Sequence, residues 1–316
     1  MPVSSSLTAL SLKAYSGTHP NVVTHGIESI PVSSLASGAN SIRITEQSIL
    51  NAIQSGVTIN PSLLCEYYNG LSVVEVAGTP YVPPPPPPPT TWVQRGADID
   101  GEANSDQSGY SVSLSSNGSI AAIGANSNAG GGTQRGHVRV YAWNGATSTW
   151  VQRGADIDGE ANNDRSGWSV SLSTDGSIVA IGAPYNAGGG SQIGHVRVYA
   201  WNGATWVQRG ADIDGEAISD RSGLSVSLST DGSIVAIGAL YNAGGGTQRG
   251  HVRVYAWNEA TSTWVQRGAD IDGEANNDRS GRIVSLSSDG SIVAIGTPYN
   301  AGGGTQIGHV RVYKYQ

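Results

Sequence analysis

Four short stretches of this sequence crowd carboxylates in one fixed order. Asp98, Asp100, Glu102 and Asp106 are followed by Asp156, Asp158, Glu160 and Asp164, then by Asp212, Asp214, Glu216 and Asp220, then by Asp270, Asp272, Glu274 and Asp278. Oxygen donors packed this closely suit a hard cation, which takes roughly six to eight of them. Calcium is therefore the candidate ion, and the twelve aspartates are its candidate ligands. The order D-x-D-G-E sets glycine fourth, so these loops are not EF-hands. Aspartate also folds turns through its own side chain, and Arg165, Arg221 and Arg279 directly follow the last aspartate as ready ion-pair partners. Turn chemistry and ion binding both stay open. Nothing in the sequence requires a cofactor.

A second set of residues varies between the copies. After a shared Ser-Gly pair stand Tyr110, Trp168, Leu224 and Arg282, and at the head of each glycine-rich loop stand Ser127, Tyr185, Tyr241 and Tyr299. Aromatic rings beside Asp and Asn suit sugars, which stack on the ring and hydrogen-bond through their hydroxyls; the same rings also serve as core or interface residues. Tyr110, Trp168, Tyr185, Tyr241 and Tyr299 are the candidate ligand-binding residues. His137, His195, His251 and His309 each open a G-H-V strand. At equivalent points of separate repeats they lie too far apart to share one ion, so structural or solvent-facing roles are expected.

Catalytic chemistry finds no foothold. The GGG loops at 130–132, 188–190, 244–246 and 302–304 lack the Lys-Ser/Thr of a phosphate-cradling loop. Arg95–Asp98 reads RGAD, not the RGD of cell attachment, and Cys65 has only His19 and His25 nearby in sequence. Every candidate group occurs four times, unlike the unique groups of an active site. No enzyme is expected.

The elements that must position these residues are short β-strands in a repeat. WVQRGADIDGEA begins at Trp92 and returns at Trp150, Trp206 and Trp264, at spacings of 58, 56 and 58 residues. Such a period, built of strand-like runs, marks a propeller or array. Within each copy SVSLS alternates as a half-buried strand should, Ser-Asn-Gly or Ser/Thr-Asp-Gly makes a tight turn, SIVAIGA follows as a buried strand, and HVRVYAW turns back into WVQRG. A blade running SVSLS, SIVAIGA, HVRVY, WVQRG leaves the copy at Ser280 without a fourth strand. The WVQRG at Trp92 could supply it and close a ring of four blades, covering two exposed edges at once. In this register the acidic loop shares one face with the NAGGG loop.

Composition agrees with a turn-rich β protein: 44 Gly and 14 Pro against one Met and no Phe in 316 residues. The net charge of −7 leaves no basic face for nucleic acid. Sixteen of the 24 carboxylates lie in the four acidic loops, so the charge belongs to one repeated surface. No stretch is apolar enough to insert in a membrane, no classical signal peptide is evident at the N-terminus, and the single Cys65 rules out an internal disulfide. Residues 1–80 carry none of the repeat and read as a small α+β domain, with helices expected from Thr45 and from Pro61. A core that small is marginal, so docking on a partner or on copies of itself is expected. Residues 81–91 form a linker in which Pro83–Pro89 makes a polyproline rod of roughly 22 Å, at ~3.1 Å per residue. Residues 92–316 form the propeller.

The stretch SGWSVSLSTDGSIVAIGAPYNAGGGSQIGHVRVY, Ser166 to Tyr199, resembles the FG-GAP repeat of integrin α-chain propellers and their bacterial and viral relatives. The landmarks are the SG-x-SV opening, IGAP at Ile181–Pro184 and the closing G-x-V-x-V-Y. Uniform repeats with W-x-Q and DIDGEA also look like those of marine microbial and phage surface proteins. The resemblance implies a mainly β, four-bladed β-propeller in a virion or cell-surface structural or adhesion protein. Residues 1–80 would anchor it to other structural proteins of a particle, and the propeller would face a host receptor or glycan. The alternative is a decoration protein with an inert propeller. Either implies a virion or extracellular location and a homo-oligomeric or multicopy assembly. Family repeats often hold calcium between the first two strands of a blade; here that connection is Ser173–Ser177, too short to wrap the ion.

Overall fold

The computed structural model describes residues 91–316 apart from 189 and 303 and, before them, one antiparallel pair, β1 (Ser11–Leu12) with β2 (Ile42–Arg43). The expected helices from Thr45 and Pro61 and the proline rod lie outside the described residues. The chain divides into two units, Met1–Trp92 and Val93–Gln316.

Each repeat folds as an antiparallel blade. Blade one holds β3 (Ser108–Leu114), β4 (Ile120–Ala125), β5 (His137–Asn144), β6 (Thr149–Gln152) and β7 (Ile157–Asp158), paired β3-β4-β5-β6 with β7 also on β5. Blade two repeats this with β8 (Ser169–Leu172), β9 (Ile178–Ala183), β10 (His195–Trp201), β11 (Trp206–Gln208) and β12 (Ile213–Asp214). Blade three comprises β13 (Ser222–Leu228), β14 (Ile234–Ala239), β15 (His251–Asn258), β16 (Thr263–Gln266) and β17 (Ile271–Asp272). Blade four has β18 (Ile283–Leu286), β19 (Ile292–Thr297) and β20 (His309–Lys314) alone. The strand order is the one the sequence leads to, and the sheets resemble propeller blades.

Local chemistry explains each turn. Between β8 and β9, Asp175 accepts hydrogen bonds from the Ser173 hydroxyl at 2.6 Å and the Ser177 amide at 2.9 Å. Gly176 there has φ +69°, and any side chain on it would run into Ile120 of the preceding blade. The outer strand is broken, which corrects the reading of ADIDGE as wholly loop. β6 leaves β5 at Gln152, Gly154 turns at φ +83°, and Ile157–Asp158 rejoin β5 opposite Val138 and His137. The break gives room to the Trp201 ring of the next blade, which lies against Gly154.

The core lies between blades, not within them. Ile120, Val138, Val140 and Ile157 of blade one pack on Leu172, Val179, Ile181 and Tyr199 of blade two. The joint is repeated between blades two and three and between three and four. Polar hooks fix the spacing: the amides of Leu172, Leu228 and Leu286 each donate to the hydroxyl of Ser113, Ser171 and Ser227 in the blade before, all at 3.0 Å. Buried at about 25 cal/mol per Å², each of these apolar faces depends on its neighbour for stability.

The expected closure of the ring is not observed. Residues 93–95 form no strand, Trp92 is fully exposed, and β20 pairs only with β19 among the described residues. Arg95 instead binds blade one, its guanidinium 4.5 Å from the Trp143 ring and donating to the Gly118 carbonyl at 2.7 Å. Among the described residues no further sheet pairs with either end of the array.

Candidate functional site

The break in the outer strand brings side chains together that lie far apart in sequence. His137, first residue of β5, is 1% exposed, and its Nδ1 faces Glu102 Oε2 at 3.8 Å and Asp156 Oδ2 at 3.6 Å. Blade two repeats the cluster with His195, Glu160 (3.8 Å) and Asp212 (3.5 Å), and blade three with His251, Glu216 (3.7 Å) and Asp270 (3.7 Å). In each trio the nitrogen and two oxygens lie within 4.8 Å of one another. Blade four keeps His309 and Glu274 at 3.7 Å. Lying on separate blades, these histidines share no common ion, but His137, His195 and His251 are buried, not solvent-facing. These three in fact have their own carboxylates, a glutamate 35 residues before and an aspartate 19, 17 and 19 residues after in the successive copies.

Electrostatics set the protonation of the trio. Burial, with the neighbouring Arg197 charge, pushes the His195 imidazole down to about 4 against the pull of Asp212 and Asp164. The imidazole is thus neutral near pH 7. Burial likewise raises Glu160, opposed by Arg197 at 3.7 Å and reinforced by the Asp212 carboxylate. Two carboxylates sharing a half-buried place with a neutral imidazole form an N,O,O donor set of the kind that holds a divalent cation.

The structure sorts the twelve aspartates by position. Asp156, Asp212 and Asp270 belong to the trios, each also accepting from the glutamine four residues before it, and Asp98 accepts from Gln94 at 2.8 Å in the same way. Asp100, Asp158, Asp214 and Asp272 use their backbone carbonyls, which receive Arg139, Arg197, Arg253 and Arg311 from the next sheet along the chain. Asp106, Asp164, Asp220 and Asp278 are buried loop staples; Asp164 accepts from the amides of Glu160 and Ala161 and from Asn186 Nδ2 at 3.1 Å. The three aspartates of one loop therefore serve separate places.

The aromatic candidates fall on one line. Tyr110 meets Trp168 at 4.8 Å, and Trp168 meets Tyr185 at 5.4 Å. Beyond them arginines alternate with tyrosines. Tyr185 lies between Arg165 (4.6 Å) and Arg221 (4.7 Å), Tyr241 between Arg221 (4.6 Å) and Arg279 (5.3 Å), and Tyr299 beside Arg279 (4.6 Å). Arg221 and Arg279 each bridge two blades. Their expected pairing with the adjacent aspartates does not occur. Arg165, Arg221 and Arg279 sit at φ near +54°, which turns the side chain away from the stapled carboxylate, and each donates to Gln134, Gln192 or Gln248. Burial raises the Tyr110 phenol, opposed by the Arg282 charge.

No family model matches this chain, and no curated protein matches it. Solved structures do. A proposed 6-phosphogluconolactonase from Bacteroides uniformis aligns at TM-score 0.44 and 12% identity, over 65% of this chain and 49% of that one. Hydrazine synthase of Kuenenia stuttgartiensis aligns at 0.40 and 14%, over 65% and 51%. The Dos1 propeller aligns at 0.38 and 11%, over 65% and 44%. The chain spans about half the length of the solved chains it matches. Likeness at this level says nothing of activity.

Within the described residues no helix is long and apolar enough to cross a membrane. The arrangement offers metal donors in three trios and arginines stacked on tyrosines.

Proposed function

We propose that residues 93–316 are a non-enzymatic scaffold, a structural or decoration module of a particle or cell surface, whose repeated polar groups join blades together. One observation carries this reading: Tyr185 and Tyr241, at the centre of the aromatic line, each lie between two arginines, and Arg221 joins both rings across two adjoining blades, so these rings help to hold the array, while Tyr110 and Tyr299 at its ends are exposed. The test is binding of the full chain to intact host cells and to a glycan panel, alongside thermal unfolding. The scaffold reading expects no saturable binding and a large loss of stability in Tyr241→Ala. Saturable binding abolished by Tyr185→Ala with unfolding unchanged would replace it with receptor or glycan adhesion.

The trios favour a second element of this reading, a divalent ion at each of Glu102–His137–Asp156, Glu160–His195–Asp212 and Glu216–His251–Asp270. An imidazole donor shifts the preferred ion from calcium toward zinc or manganese. Metal content measured after dialysis against each ion, for the wild type and for His195→Asn, checks this. Binding of calcium alone, indifferent to the histidines, would return the ion to the aspartates.

A further inference from the structure

The two ends of the array fit each other. On blade one, Val112 and Leu114 are 69% and 61% exposed, while their equivalents Leu172, Val226 and Leu228 are buried under the preceding blade. On blade four, Val310 and Val312 are 67% and 65% exposed, while Val138, Val140, Val196 and Val198 are sealed by the following blade. Each open face is thus one half of a joint that the chain already forms three times.

A cavity marks what is lacking. In blades one to three an indole of the outer strand donates to an arginine carbonyl on the segment before: Trp150 to Arg95 at 2.8 Å, Trp206 to Arg153 and Trp264 to Arg209 at 2.7 Å. The next carbonyl in the series is that of Arg267. It lines a cavity of about 220 Å³ with Gly268, Ile271, Leu286 and Tyr315. Gly154 and Gly210 each touch two tryptophans, whereas Gly268 meets only Tyr315. Trp92 is the fully exposed tryptophan, and Arg95 already holds its segment on blade one in the way that Arg153 holds its own on blade two.

We propose that this chain assembles head to tail: blade one of a second copy docks on blade four, bringing Trp92 of that copy into the Arg267–Tyr315 cavity and residues 93–95 along β20 as the fourth strand. The occupant follows from the repeat, since the internal joints are the template for the new one. Two copies give eight blades, within the ~4–8 usual for propellers, and a head-to-tail contact makes a ring where its rotation closes. The new joint departs from the template at several positions, among them Ala121 where Val179, Val235 and Val293 stand and Lys314–Tyr315 where the other blades have Ala-Trp. Ile283 replaces the serine that hooks the next blade at Ser111, Ser169 and Ser225, and Gln107 stands where Arg165, Arg221 and Arg279 stand. The new joint thus has fewer polar hooks than the internal ones and a smaller side chain at Ala121. The inference rests on the ends of the array and not on the scaffold role.

The turns provide the test. The amides of Ser116, Thr174 and Thr230 donate to the carbonyls of Thr174, Thr230 and Ser288 in the following blades at 2.8–2.9 Å. Head-to-tail docking places Ser288 against Ser116 of the second copy. The full chain carrying Ser116→Cys and Ser288→Cys, with Cys65→Ser, is oxidised and run unreduced, and the mass of the wild type is measured by light scattering. Expected are a disulfide-linked dimer or ladder, a wild-type mass of at least two chains, and association weakened at least about tenfold by Trp92→Ala, as for a buried aromatic anchor. Mixing the two single-cysteine proteins is the control for folding and yields the same linked pair. An internally linked monomer would show that the chain closes on itself, and a monomeric wild type without cross-linking would show that the ends stay open; either overturns the proposal.

Discussion

Replacing Arg221 with Gln removes the central rung of the ladder. The guanidinium lies 4.7 Å from the Tyr185 ring and 4.6 Å from the Tyr241 ring, half-buried between blades two and three. Each such contact contributes about 0.5–1 kcal/mol at this exposure. Its Nε and Nη2 also donate to Gln192 Oε1 at 3.0 and 2.8 Å, a charged-donor contact of about 1.5 kcal/mol after exchange with water. The sum is about 3 kcal/mol. For an array of this size that lowers the melting temperature by about 6–12 °C, at roughly 2–4 °C per kcal/mol. Calorimetry on the full chain measures it. Arg221→Lys keeps the charge over the rings but loses the flat two-donor fork, and about half the loss is expected. A double-mutant cycle with Tyr241→Leu isolates the ring contact. If Arg221→Gln costs less than about 0.5 kcal/mol, the arginine is a solvated surface residue and the ladder does not hold the blades.

Other substitutions separate the roles of the aspartates and glycines. Asp164→Ala removes a buried staple with three donors and costs about 2–4 kcal/mol in denaturant unfolding, whereas Asp156→Ala costs under about 1 kcal/mol while lowering bound metal. Zinc added to the full chain raises its melting temperature, an excess of chelator reverses the rise, and combined His137→Asn, His195→Asn and His251→Asn abolishes it; an unchanged response in the triple variant would show that the trios hold no ion. Gly176→Ala meets Ile120 as well as positive φ, and a loss above about 2 kcal/mol is expected in the same unfolding assay.

Much of the fold is legible in the sequence because local signals agree with one another. The alternation of SVSLS, the Asp-Gly turns and the recurrence of WVQRG lead to the strand order found in blades one to three and in the three strands of blade four. The site is less legible, because its residues meet only through the broken outer strand. Nothing in ADIDGE announces that Ile157 will rejoin β5 and carry Asp156 to His137. Arg221 stands beside Asp220 in sequence, and only its positive φ sends it to the tyrosines. Closure through Trp92 follows from counting strands, yet Trp92 is exposed and residues 93–95 form no strand.

Placing the core in the joints has an evolutionary consequence. A segment cut from one Trp-Val-Gln-Arg-Gly to the next carries half of one joint at each end, and every internal joint uses the same side chains. Removing a whole repeat rejoins two surfaces that already match, and duplicating one adds a joint without altering the others. Length in this protein is therefore a variable that selection can set in steps of one blade, while the two end faces stay the same throughout.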